Sequence, residues 1–169
     1  MSETQQSSEA ATDEPRDKAK GVLAEIISKM GIEAEIVVHD EDDRFRLEIQ
    51  CEDPERVVGR RGQVLDALQH LVGKIVFRGR SLGEGGAPKK PIVVDADGYR
   101  ERHAERLRGI AERSAEKVIE TKLPMAMDPM TPHDRRIMHM ALADNPGVET
   151  RSEGEGEDRH MLIVPVSVE

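Results

Sequence analysis

Apolar positions along the chain change period several times, and each change marks an element. Val22, Leu23, Ile26, Ile27 and Met30 share one face at helical spacing, predicting a helix from Arg16 that Gly31 ends. Ala34, Ile36 and Val38 then alternate with polar neighbours. Asp40 to Asp43 turn the chain, and Phe45, Leu47 and Ile49 alternate again, predicting a hairpin with one wet face. A short helical turn, Glu55 to Val58, leads into Gly59-Arg60-Arg61-Gly62. Val64, Leu65, Leu68, Leu71, Val72, Ile75 and Val76 predict a strong helix leaving that loop. Residues 79–91 read as a Gly/Pro loop, and Ile92-Val93-Val94 as a short buried strand.

The second half is more polar. Asp97 can cap a long charged helix to about Lys122, anchored by Leu107, Ile110, Val118 and Ile119. That helix is too polar for a core and reads as a strut, which Leu123-Pro124 breaks. Thr131-Pro132-His133-Asp134 carries a helix start: Thr as N-cap, Pro at the first position, an acid at the third. The helix runs to about Ala143 and stops at Asn145-Pro146-Gly147. Two short strands flank the acidic loop Glu153 to Asp158, Met161 to Val164 being the stronger. Met125, Met127, Met130, Met138 and Met140 read as filler for a small core. The expected organisation is a disordered acidic tail (1–15), an α+β module (16–96), a connecting helix (97–123) and a second small α+β module (124–169).

Composition narrows the function. With 169 residues and aromatics at 2% (Phe45, Phe77, Tyr99), the chain can build two small aliphatic cores. No apolar run approaches the roughly 20 residues of a membrane helix, so no stable membrane insertion is expected. The acidic start MSETQQSSEAATDEP has no apolar stretch of a secretory signal. A single cysteine, Cys51, excludes an intrachain disulfide framework and a multi-Cys zinc site. These features together predict a reduced, cytoplasmic protein. The net charge of −9 hides an asymmetry: residues 54–122 hold 15 Lys/Arg against 10 Asp/Glu, whereas the remainder holds 10 against 24. Because charges beyond about 8 Å are screened at physiological salt, the basic middle can still meet a polyanion. A merely solvated charged face explains the same numbers.

The loop Gly59-Arg60-Arg61-Gly62 is the first candidate site. Two glycines let backbone approach a phosphodiester, the following helix offers free N–H groups, and the arginines add two guanidiniums. A plain turn between helices is the alternative. No Gly-Lys-Ser/Thr follows and the pattern is not GxGxxG after a strand, so nucleotide-cofactor readings fall away and no cofactor is expected. Helix–GxxG–helix beside a three-stranded sheet is the KH arrangement, whose loop clamps about four backbone nucleotides. The order helix, hairpin, loop, helix, strand resembles its type II form, with the helices on one face of the sheet. Three aromatics cannot furnish the stacking platforms of RRM or OB modules, whereas a KH groove is aliphatic.

Arg135 and His139 form the second candidate. Their spacing puts them one turn apart on one helical face, about 110° from the centre of the stripe Ile137, Met138, Ala141, Leu142. There they can meet a phosphate together, or stand idle as a surface pair. His139 makes a poor metal ligand, since no Cys, Asp or Glu sits four residues away and His133 is six away. As a base it lacks a nucleophile at motif spacing, so no catalytic residue is assigned. The arginines at 100, 102, 106 and 108 alternate with Glu101, Glu105 and Glu112 and read as a solvated, salt-bridged face; Tyr99 reads as packing that helix onto the sheet.

The run PMTPHDRRIMHMAL, then Val148-Glu149-Thr150-Arg151-Ser152-Glu153-Gly154, then Arg159 before an apolar strand, closely resembles the Arg-xxx-His domain, a small single-strand nucleic-acid-binding module. Asp95-Ala96-Asp97-Gly98-Tyr99-Arg100-Glu101-Arg102 resembles the connecting segment of the Jag (SpoIIIJ-associated) family, bacterial RNA-binding proteins with a KH and an Arg-xxx-His module. The resemblance covers about residues 16–165. It implies a non-catalytic cytoplasmic protein that binds single-stranded RNA and acts in cell elongation, envelope growth or sporulation; whether single-stranded DNA is also a ligand, the sequence leaves open. It also implies a small single-KH partner protein. Gly59, Arg60, Arg61 and Gly62 would grip one stretch of backbone, and Arg135 with His139 another. Many relatives carry an extra basic N-terminal domain where this chain has a short acidic segment. Two other classes stay open: an adaptor that docks a protein on the KH surface, and an RNA-processing hydrolase with His139 as base.

Overall fold

The computed structural model describes residues 3–78 and 90–166, with side chains from Pro15 onward. The chain divides into two compact units, Met1–Arg100 and Glu101–Glu169. In the first, α1 (Glu3–Lys29) precedes the hairpin β1 (Ala34–Asp40) and β2 (Phe45–Cys51). Next come α2 (Pro54–Val58), a 3₁₀ turn (Arg60–Gly62), α3 (Gln63–Val76) and β3 (Ile92–Ala96). The loop expected over 79–91 lies largely outside the described residues.

The sheet order is β1-β2-β3, antiparallel then parallel. Register sets Ile36 opposite Ile49, Phe45 opposite Ile92, and Leu47 opposite Val94, so one face of every strand is apolar. Onto that face pack Ala19, Leu23 and Ile27 of α1, Val57 and Val58 of α2, and Leu65, Leu68, Val72 and Val76 of α3. The other face is wet: Arg46 bridges Glu41 and Glu48 at 2.8 and 3.0 Å. The predicted strands, the loop and α3 stand where their periodicity put them. α1 corrects the expectation of a disordered tail, because its helix begins at Glu3 and carries Pro15 inside it. The Gln, Glu and Ala of that stretch favour helix without any apolar period to announce it.

In the second unit, α5 (Pro132–Leu142) packs with a sheet of order β4-β6-β5: β4 (Met125–Ala126), β6 (His160–Pro165) and β5 (Val148–Glu153). All its pairings are antiparallel, and β4, too short for a sequence signal, pairs with β6 at Ile163 and Leu162. Thr131 caps α5 as predicted, its Oγ1 accepting the Asp134 N–H at 3.1 Å. The strut expectation fails. α4 (Tyr99–Thr121) buries Leu107, Ala111, Ala115 and Val118 in one core with Met138, Leu142, Val148, Met161 and Ile163. Two alanines in that stripe lower its apparent hydrophobicity while allowing close approach, so a polar-looking helix is a core helix. Met140 is also corrected, for it stands 61% exposed rather than in the core. Asp97, the expected cap of α4, adopts φ 50° before Gly98 at 61°, and the Arg100 amide is met by Asp95 Oδ1 at 3.2 Å. No helix among the described residues is long and apolar enough to cross a membrane.

Candidate nucleic-acid interface

In the first unit the candidate site is the chain between α2 and α3. Val57 and Val58 are buried, so α2 is anchored up to the loop. Gly59 then turns out of the helix at φ 68°, Arg61 takes φ 54°, and Gly62 takes φ 80°. Three left-handed residues in four make this a tight, defined loop, and a β-branched or bulky residue at either glycine position would strain it. Space demands the glycines too. A β-carbon on Gly59 would lie 2.3 Å from Val64 Cγ2, and one on Gly62 would lie 2.9 Å from Tyr99 Cε1. Tyr99 thus packs under the loop itself, a sharper role than sequence reading assigned.

Arg60 and Arg61 are both exposed, and Arg60 has no ion-pair partner among the described residues. α3 starts directly after Gly62 with no side-chain cap. Its first N–H groups and the two guanidiniums therefore lie within one turn of chain, an arrangement suited to phosphate oxygens.

In the second unit, α5 carries the other pair. Arg135 is half-buried. Its Nη1 donates to the carbonyls of Met130 at 2.7 Å and Arg159 at 3.3 Å, tying the segment before α5 to the start of β6. Its Nε and Nη2 have no protein partner among the described residues. His139 is exposed one turn on, its Nδ1 in a short hydrogen bond with Thr150 Oγ1 of β5. That contact orients the ring and leaves Nε2 without a partner among the described residues. Helical spacing aligns Arg135 and His139 as predicted, but the fold adds what spacing could not show: Arg135 is held by main-chain carbonyls just before α5 and just before β6, and His139 by a side chain of β5.

Asp134 stands at the third position of α5 as expected, and its side chain has a further role. Its carboxylate does not complete a capping box; it is buried and accepts from His103 Nε2 at 3.1 Å, pinning the start of α5 to α4. Arg100 is also no solvated surface residue. Its Nε donates to the Val94 carbonyl at 2.8 Å, and its Nη2 reaches Asp66 Oδ1 at 3.0 Å and Gln69 Oε1 at 3.2 Å. The contacts of Thr150, His103, Gln69 and Asp66 escaped sequence reading because each joins residues distant in the chain. Among the described residues no group of three or more His, Cys, Asp or Glu could hold a metal ion.

Residues 16–81 match the KH domain family of KhpA/KhpB, and residues 105–165 match the Arg-xxx-His domain family. The RNA-binding protein KhpB of Bacillus subtilis is 31% identical over 152 residues, covering 89% of this chain and 70% of that protein. This chain belongs to the KhpB family. The RNA-binding protein KhpB of Clostridium symbiosum is 34% identical over 150 residues, and that of Lactiplantibacillus plantarum 32% identical over 142. The chain spans 65% of the length of the former and 42% of the latter. This is the Jag family expected from the sequence motifs. Within the KhpB-family match, the GxxG loop falls in the KH segment, and Arg135, His139 and Thr150 fall in the Arg-xxx-His segment. The Arg-xxx-His match begins inside α4, in keeping with the core that Leu107 and Val118 share with α5.

Proposed function

We propose that this chain binds single-stranded RNA without catalysis, the GxxG loop and the Arg135–His139 pair each holding phosphodiester backbone. The GxxG loop is the observation that carries the reading. Its glycines are required by both backbone angle and space, and the residues between them are two exposed arginines at an uncapped helix start. A loop serving only as a turn has no need of that charge. The relatives' names as RNA-binding proteins point the same way. Two sites on one chain raise affinity by about 10²–10⁴ over either alone when both engage one strand. The wider role in this reading is post-transcriptional regulation in cell elongation or envelope growth, as the Jag resemblance implies, carried out in the cytoplasm.

Fluorescence anisotropy with single-stranded RNA over a salt series tests it. Log affinity is expected to fall with log salt by about 0.7 per neutralised phosphate. Arg60→Asp/Arg61→Asp should weaken binding and make that slope shallower, and Arg135→Ala/His139→Ala should weaken it independently. No binding at low salt to any mixed RNA pool would overturn the reading.

One observation favours a protein partner as well. Leu71 and Ile75 lie one turn apart on α3 and are 47% and 42% exposed, a pair of large apolar side chains turned away from the core. We infer that this face docks a small single-KH protein. Leu71→Glu should abolish co-elution with such a partner while leaving RNA affinity unchanged; co-elution that survives it would rule the face out.

A further inference from the structure

The surface of α5 falls into three sectors. Asp134, Met138 and Leu142 are buried, and Arg135 with His139 forms the pair described above. The third sector, His133, Arg136, Ile137 and Met140, lines an open groove of about 290 Å³ that Ala141 and, from α4, Arg108 complete. No carboxylate lines this groove among the described residues. Arg136 and His133 are exposed, and neither side chain has a hydrogen-bond or ion-pair partner among the described residues. The Arg108 side chain is 51% exposed, and its Nη1 stands 3.9 Å from Glu101 Oε1, too far for a hydrogen bond. Between these cations lie apolar groups: Ile137 and Ala141 are half-buried, and Met140 is 61% exposed.

An occupant complementary to this groove brings negative charge to the arginines and carbon to the floor. The volume sits at the low end of small-ligand sites, about 300–1,000 Å³, which suits a small group rather than a folded partner. A second copy of the chain facing it would set arginine against arginine. A nucleotide meets both requirements. Its phosphate oxygens accept charge-assisted hydrogen bonds from guanidiniums, and its sugar and base can lie over Met140 and Ile137. Position says where that nucleotide comes from. Arg136 stands three residues before His139 and four before Met140, so all three are neighbours one turn apart on α5. A strand held at His139 therefore reaches Arg136 without leaving the helix.

We propose that the groove between α4 and α5 seats the nucleotide next to the one held by Arg135 and His139. Arg136 and Arg108 hold its phosphate, and Met140 and Ile137 cover its sugar and base. This rests on the RNA-binding reading above and extends the contact around α5 to residues that reading does not use.

The test is anisotropy of the full chain with mixed-sequence single-stranded RNA of one length, over a salt series. Arg108→Ala/Arg136→Ala is expected to bind at least about tenfold more weakly, the lower end of what charge-assisted hydrogen bonds supply. Its slope of log affinity against log salt should be shallower by about 0.7, the share of one phosphate. Arg106→Ala/Arg113→Ala removes the same charge from exposed positions of α4 outside the groove and should lose far less. Met140→Ala, at a position too exposed to endanger folding, should weaken binding about fourfold with the slope unchanged, the worth of one buried methylene. Equal losses in the two arginine pairs would mean that charge acts only at a distance, and unchanged affinity in Met140→Ala would leave the floor empty. Either result overturns the groove while leaving the GxxG loop and the Arg135–His139 pair intact. Failure of wild type to bind at low salt would instead remove the RNA-binding reading on which the proposal rests.

Discussion

Tyr99 Cε1 lies 2.9 Å from the point where a β-carbon on Gly62 would stand. The tyrosine of α4's first residue therefore sets the space in which the GxxG loop closes, and Gly62 meets it with φ 80°. Gly62→Ala is expected to cost about 1–2 kcal/mol from the left-handed backbone alone, and more from the ring contact. Pairing it with Tyr99→Ala should recover part of the loss, giving a coupling of roughly 0.5–3 kcal/mol in a urea double-mutant cycle. Strict additivity would mean the ring moves aside freely.

Arg135 and His139 should separate by what each is tied to. Arg135→Ala removes charge-assisted hydrogen bonds to the Met130 and Arg159 carbonyls and should lower stability by about 1.5–3 kcal/mol. His139→Ala, at an exposed position, should stay within about 0.5 kcal/mol of wild type. Both should weaken RNA binding. Equal stability of the two variants by thermal unfolding would show that the Arg135 tether carries no weight in the fold.

Leu107→Ala tests whether α4 belongs to the second core. Leu107 is 8% exposed among Met138, Met161 and Ile163, so the truncation is expected to cost about 2–5 kcal/mol. Native-state hydrogen exchange should show lost protection in α5 and β6. A strut helix would lose far less, and only locally.

Cys51 gives a pH-dependent readout. Burial raises its thiol pKa above the ordinary value, so less thiolate is present at a given pH in the folded protein. Iodoacetamide should alkylate the native chain more slowly than the urea-unfolded chain near pH 8, with the native rate still climbing at pH values where the unfolded rate has levelled. Matching pH profiles would show that the fold leaves the thiol unperturbed.

Much of the fold was legible because its signals are local. Alternation at Ala34–Val38 and Phe45–Ile49, helical spacing along α3, and Thr131-Pro132 as a helix start each depend on neighbours a few residues apart. The GxxG loop and the Arg135–His139 pair are legible for the same reason, one as contiguous residues and the other as a single helical turn. β4 escaped because two residues are too few to show a period, and the helical tail of α1 escaped because nothing in it needs burial.

By itself, then, the sequence determined the order of the longer elements, the buried faces of the hairpin and of α3, and which charged groups the GxxG loop and α5 carry. Periodicity states that a face must be covered, not what covers it. Only the tertiary structure decided that Ala111 and Ala115 belong to a core with α5, that Asp134 turns inward to His103, and that Arg135 is anchored by carbonyls of Met130 and Arg159. It also decided that Arg100 links the Val94 carbonyl of β3 to Asp66 and Gln69 of α3. Those are hydrogen bonds and contacts between residues far apart in the chain, and a polar side chain on a helix looks the same in sequence whether water or a buried partner satisfies it.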